Sequence, residues 1–303
     1  GPKIVGKKLK GTLFSIRAVP FGGFCKMLGE DESIEEKGSF SSQSIWVRMK
    51  VTFGGPLFNI VLAFITVIIY ISIMGTGTTT IERVIDDSAA YEAGILPGDK
   101  ITKIGSHSII AYSEIPLYLN ETGSQTIDIV VKRDGESKTL SITPAYTSES
   151  DRYFIGVSPK TVNNKNPFEV IKYGAIEIVY TVKLVYYSLG MLISGSISPS
   201  EISGPVGIVN IVSTTYNQSL EYGMLSTVSV MLYFMTLLSA NLAIMNLLPI
   251  PALDGGRLVF LTIEAIRKKP IDQEKEAMIH FIGFVLLMGL MILVLYNDIA
   301  KLL

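Results

Sequence analysis

Residues 246–256 read Asn246-Leu247-Leu248-Pro249-Ile250-Pro251-Ala252-Leu253-Asp254-Gly255-Gly256, and they close an uncharged stretch that begins at Tyr222. About 20 apolar residues cross a bilayer, so this stretch is long enough to span one. A carboxylate at the end of such a segment is costly unless it meets a cation or a partner, which makes Asp254 a candidate functional residue. Pro249 and Pro251 remove backbone donors, and the glycine pair lets the chain turn tightly after the acid. Irregular backbone of this kind is tolerated at membrane depth only where it lines a cavity or is buried in protein. The plainer alternative is a proline-broken helix end with an incidental acid.

Working outward, two further segments match a membrane span: Val51 to Met74, and Ala277 to Asn297 between Glu276 and Asp298. Composition agrees, with 48% hydrophobic and 17% charged residues against roughly a quarter charged in soluble domains. Residues 168–193 are apolar too, but they carry Glu169, Lys172, Glu177 and Lys183 among four tyrosines. Charges at the bilayer centre cost roughly 2.5–3.5 kcal/mol each and tyrosines favour the lipid–water boundary, so an interfacial helix is expected there rather than a span. The net charge of −1 leaves no basis for nucleic-acid binding. Cys25 is the sole cysteine, which excludes an internal disulfide framework; it reads as a small buried hydrophobe.

Basic residues set the orientation. They crowd into residues 1–50 (Lys3, Lys7, Lys8, Lys10, Arg17, Lys26, Lys37, Arg48, Lys50) and into the loop with Arg257, Arg267, Lys268, Lys269 and Lys275, but are sparse from Gly75 to Tyr222. The positive-inside rule puts residues 1–50 and 257–276 in the cytosol and the insert between the first two spans outside. That insert, residues 78–146 with a wider limit at 159, reads as β-rich. A strand at Ile81–Ile85, a short helix opened by Ser88 and ended by Gly94, a helix over Ser113–Asn120, and a hairpin turned at Asp134-Gly135 are all expected. Residues 160–222 then form an outer, interfacial helical region. Within residues 1–50, Gly11 to Met27 alternates around Pro20-Phe21-Gly22-Gly23 as a hairpin would, and Glu30 to Glu36 reads as a solvated acidic linker.

The motif at 246–256 resembles the second metal-ligand motif of the site-2 protease family, intramembrane zinc metalloproteases, with every fixed position of Asn-x-x-Pro-x-Pro-x-Leu-Asp-Gly-Gly present. Residues 19–29 (Val-Pro-Phe-Gly-Gly-Phe-Cys-Lys-Met-Leu-Gly), Gly54-Gly55-Pro56-Leu57-Phe58-Asn59 and Ile202-Ser203-Gly204-Pro205-Val206-Gly207-Ile208 are similar to other signatures of the family, in order along the chain. The Ala93-Gly94-Ile95-Leu96-Pro97-Gly98-Asp99 string resembles PDZ domains of bacterial proteases. Such domains bind extended peptides at a strand edge beside a helix, here expected between Thr79–Val84 and Ser113–Asn120. A plug that binds no peptide is the equal alternative.

The resemblance implies a polytopic α-helical membrane protein with an inserted β-rich PDZ-like domain. Three transmembrane helices belong to this chain and four to the presumed complete protein. It implies Zn2+ as cofactor, Asp254 as its third ligand, and Asn246, Pro249, Pro251, Asn59, Gly22 and Gly23 beside the substrate. Asn59 reads equally as a helix-packing polar residue. The family's His-Glu-x-x-His helix, which holds two zinc ligands and the general base, is absent: His107 and His280 are the only histidines. The chain opens at Gly1-Pro2-Lys3-Ile4, similar to the segment just after that helix. The motif-bearing helix and the catalytic residues are therefore expected upstream of Gly1. His107 reads as an exposed turn residue and His280 as an interfacial anchor rather than a ligand.

The function implied is cleavage of transmembrane segments of single-pass proteins, such as anti-sigma factors or signal-peptide remnants, in a bacterial inner membrane. Two readings from other classes stand beside it: a non-catalytic scaffold recruiting partners through its PDZ-like domain, and an ion-coupled transporter with Asp254 on a broken helix.

Overall fold

The computed structural model describes residues 2–9, 12–18, 27–29, 36, 38–148, 151–162, 165–196 and 203–302. Strands β1 (Lys3–Leu9) and β2 (Thr12–Arg17) form an antiparallel hairpin whose side chains are exposed throughout. This hairpin turns between Leu9 and Thr12, upstream of the turn expected at Pro20 to Gly23. Pro20 to Gly23, with the candidate residues Gly22 and Gly23, and Cys25 lie outside the described residues.

Helix α1 (Ile45–Met74) starts six residues before the expected span and runs through Pro56. Gly75, at φ 72°, turns the chain out of it into a β-domain. There β3 (Gly77–Val84), α2 (Ala89–Glu92), β4 (Lys100–Ile104), β5 (His107–Ser108), α3 (Glu114–Thr122), β6 (Ile127–Arg133), β7 (Glu136–Ile142), β8 (Ala145–Thr147), β9 (Arg152–Phe154) and β10 (Val157–Thr161) follow. The main sheet has the order β10-β3-β4-β6-β7, with β5 on β4. Its closing strand, β10, pairs with β3 as far as Thr161 and Gly77, so the domain extends past both sequence-based limits, 146 and 159.

The domain's core is aliphatic: Ile81, Ile101, Ile104, Ile129 and Val131 are at most 1% exposed, and full burial of each such side chain contributes about 1.5–3 kcal/mol. Ser88 caps α2, its Oγ accepting from Tyr91 N at 3.3 Å. Asp134 and Gly135, at φ 51° and 91°, make the β6–β7 turn, as their sequence requires.

Four helices follow: α4 (Pro167–Ile193), α5 (Pro205–Leu220), α6 (Met224–Leu247) and α7 (Asp254–Arg267); α8 (Gln273–Leu302) ends the chain. Helices α1, α4, α6 and α8 are each long and apolar enough to cross a membrane. That is one more than the three expected, because α4 qualifies despite its charges. Nor is α4 simply laid on a surface. Its Val170 and Ile178 pack with Ala63, Val67 and Ile71 of α1 and Ala240 of α6, and Gly174 brings the α4 backbone against Phe64, Val67 and Ile68. Its charges find polar neighbours: Glu177 Oε1 lies 3.4 Å from Thr76 Oγ1, and Lys183 reaches the β-domain. Between α1 and α6, the hydroxyls of Thr66 and Thr236 meet at 2.8 Å in a buried contact.

Candidate metal centre at the start of α7

Asp254 is the first residue of α7, where the positive end of the helix dipole favours a carboxylate. The preceding turn is held in an unusual conformation: Ala252 has φ 79°, a region non-glycine residues seldom adopt. His280 of α8 braces that turn, its Nδ1 accepting from Ala252 N at 2.9 Å. Its Nε2 is 3.9 Å from Glu276 Oε1. His280 is thus a clamp on the motif's backbone.

The glycines of the motif have one steric purpose each. A Cβ on Gly255 would meet Leu248 O at 2.2 Å and Leu247 backbone atoms at 2.4 Å; one on Gly256 would meet Ile250 O at 2.5 Å. Only glycine lets α7 fold back this tightly on the end of α6. From the other side, a Cβ on Gly283 of α8 would come within 2.5 Å of Pro251, so α8 docks its backbone on the proline turn.

Across from Asp254 stands Gly55 of α1, where an added Cβ would lie 3.3 Å from Asp254 Oδ2. Glycine at 55 therefore lets the α1 backbone come close to the carboxylate. Arg48 NH2 and Glu264 Oε1, 2.5 Å apart and mostly buried, tie α1 to α7. From the Thr66–Thr236 contact, a rise of about 1.5 Å per residue carries Asn59 and Asn246 roughly 10 and 15 Å towards the Asp254 end. Both asparagines, partly buried, thus sit within about one helical turn of each other in depth. Pro249 is exposed and Pro251 partly so.

A catalytic zinc ion takes three protein ligands and an open position. Among the described residues no group of three or more His, Cys, Asp or Glu side chains converges. Asp254 fits one ligand position; the described residues do not complete the set.

The model of Peptidase family M50 matches residues 1–290. The chain belongs to that family. Its site-2 protease resemblance is therefore one of membership, and this M50 chain has named relatives. A Clostridium acetobutylicum protein whose name places it among zinc metalloproteases is 35% identical over 99% of this chain and 86% of its own length. The "Regulator of sigma-W protease RasP" of Bacillus subtilis is 36% identical over 87% of this chain. The matched part covers 61% of that relative and 62% of the Oceanobacillus iheyensis zinc metalloprotease RasP, which is 37% identical. The chain thus spans about three fifths of the RasP relatives it matches. Among solved structures, the PDZ domain of an SdrC-like protein from Listeria innocua aligns with 27% of this chain and 92% of that domain, at 27% identity and a TM-score of 0.24.

Two features of the M50 chain were not foreseen from sequence. The first is Asp298, read only as the polar end of the last span. Its buried carboxylate accepts from Gly204 N at 2.9 Å and Gly207 N at 2.8 Å, capping α5 from another helix. A Cβ on Gly204 would strike Val294 and Asp298 at 2.5 and 2.7 Å, which explains the glycines of the Gly204-Pro205-Val206-Gly207 signature. The second is the groove. Strand β3 is paired on both sides, by β10 and β4, so it offers no edge to a peptide. A cavity of about 380 Å³ lies between α3 and the Arg152–Val157 segment, lined by Ile115, Pro116, Leu119, Tyr153, Ile155 and Val157 among others. His107, expected as an exposed turn residue, opens β5 and stacks on Tyr118 with ring centroids 4.1 Å apart.

Proposed function

We propose that this chain forms the larger part of an intramembrane zinc metalloprotease that hydrolyses transmembrane segments of single-pass membrane proteins. The observation that carries the reading is Asp254: a carboxylate at the start of α7, behind a membrane-length helix, with glycine opposite it. Bound zinc supplies a polarised water and a Lewis acid for the scissile carbonyl. This chain's residues do the rest. Asp254 holds the ion from one side. Asn246 and Asn59 donate hydrogen bonds to substrate backbone that has left its helix, since cleavage requires local unwinding and each freed amide or carbonyl needs a partner. Pro249 and Pro251 keep the adjoining turn open, and Gly22 and Gly23 are proposed to contact substrate, as the family resemblance implies. In the family this motif resembles, the remaining ligands and the general base belong to a His-Glu-x-x-His helix.

In this reading residues 1–50 and 257–276 face the cytosol and the β-domain faces outward from a bacterial inner membrane. The domain, across a hydrocarbon core of about 30 Å, contributes no catalytic group and selects substrates by the size of their outer part. Anti-sigma factors and signal-peptide remnants are the substrate classes in view; the name of the Bacillus subtilis relative supports the first.

The test is Asp254→Ala in the full-length enzyme. Zinc content and cleavage of a single-pass model substrate should both fall to background while membrane insertion persists. Proteolysis retained by that variant overturns the assignment.

A further inference from the structure

A domain that selects by size must be held over the entrance it guards, and the contacts that hold this one are specific. Helix α3 has two working faces. Ile115, Pro116 and Leu119 line the groove, while Glu114, Tyr118 and Glu121 turn towards α4. Lys183 of α4 pairs with Glu114 and donates to Ser108 O at 3.0 Å. The ring of Tyr187, one helical turn on, meets Tyr118 edge to face at 6.0 Å. The other half of α4 is packed on α1 and α6 through Val170, Gly174 and Ile178. A single rigid helix therefore joins the β-domain to the membrane-length bundle.

We propose that Lys183 is a latch: it pins the β-domain in the docked pose that gives the protease its size selection. This inference rests on the proposed function and goes one step beyond it, naming the residues that set selectivity. The chemistry favours a separable contact. Glu114 is 1% exposed, yet its Oε2 already accepts from Ile110 N and Ala111 N, at 2.5 and 2.9 Å, inside the domain. The carboxylate thus stays hydrogen-bonded when Lys183 leaves, and the domain keeps its fold. Lys183, 37% exposed, returns to water easily. What is lost is the cation that made docking favourable, since a buried carboxylate is costly without one. Undocked, the domain hangs on two chain connections, one of them through Gly75 at positive φ.

The experiment compares two model substrates in the full-length enzyme: one single-pass segment with a few outer residues and one with a folded outer domain. Lys183→Ala should leave cleavage of the short substrate and zinc content within about twofold of the parent and raise cleavage of the tall one tenfold or more; Lys183→Arg should restore selection. In a Cys25→Ser background, Ser108→Cys with Lys183→Cys should be permissive, and a short bis-maleimide bridging the two cysteines should make it selective again. An unchanged tall-to-short ratio in Lys183→Ala overturns the latch, as does a parallel fall of both activities, which marks a merely structural residue. A parent enzyme that cleaves neither substrate overturns the protease reading, and the latch with it.

Discussion

Asp99 shows how one side chain can hold a turn together. Its carboxylate is fully buried and takes a paired contact from Arg133, Nε to Oδ1 and NH2 to Oδ2, both at 2.7 Å, with Leu96 N on Oδ2 at 2.9 Å. Arg133 also donates to Gly94 O at 2.7 Å. Burial works against ionisation, but the guanidinium and the amide outweigh it and hold the carboxyl below its usual range. A depressed folded pKa means the contribution to stability is present above the unfolded value of about 3.9 and is lost as pH falls through the folded value. Hydrogen exchange in the full chain should therefore show the β-domain amides fully protected at neutral pH and opening progressively below about pH 4. In Arg133→Gln, protection should already be reduced at neutral pH, with a shallower acid dependence. Equal acid profiles for parent and variant would show that the pair does not govern the domain's acid sensitivity.

Helices meet here where glycine removes a side chain. Gly255 is the sharpest case, because the atoms its Cβ would strike are backbone and cannot rotate away. Gly255→Ala should cost about 1–3 kcal/mol, the usual range for overpacking, and lower the thermal midpoint in detergent; an unchanged midpoint would mean that the α6–α7 turn relaxes freely. Asp298 works by the opposite device, adding a group rather than removing one. Asp298→Ala leaves the Gly204 and Gly207 amides without their acceptor, a loss of about 1 kcal/mol by analogy with ordinary helix caps. The loss should concentrate in α5, visible as faster hydrogen exchange there with little change in the β-domain. Uniform acceleration across the chain would contradict a local cap.

Topology is a property of the assembled protein and can be read with thiol chemistry. In a Cys25→Ser background, a cysteine at Ser137, exposed on β7, should react with an impermeant maleimide from outside intact cells. One at Lys268, in the turn after α7, should react only after the membrane is opened. The reverse pattern would invert the orientation taken from the basic residues. Helix α4 is the variable in this arrangement. It is long and apolar enough to span, yet it binds the β-domain at Lys183 and Tyr187 and the α1–α6 bundle at Gly174. A cysteine at Ile193, 86% exposed, reports which side its far end occupies, and labelling from outside is the expected result if the domain it is tied to faces outward as proposed.

Much of this protein was legible in local sequence. Apolar runs gave α1, α6 and α8, because a membrane-length helix depends on little beyond its own composition. Ser88, Gly94 and Asp134-Gly135 marked a cap, a stop and a turn, since backbone preferences act over a few residues. The Asn246–Gly256 motif drew attention to Asp254 for the cost of an acid at the end of an apolar helix. Other features arose only when distant segments came together. β10 closes the sheet on β3, which moved both the domain limit and the groove, and strand pairing over such a separation leaves no local mark. The charges of α4 argued against a span, yet in the fold Glu177 meets Thr76 and Lys183 meets Ser108 and Glu114. Asp298 became a cap and His280 a clamp through residues far away in the chain, Gly204, Gly207 and Ala252. Short-range preferences are written residue by residue; a buried polar group acquires its meaning from whatever the fold sets against it.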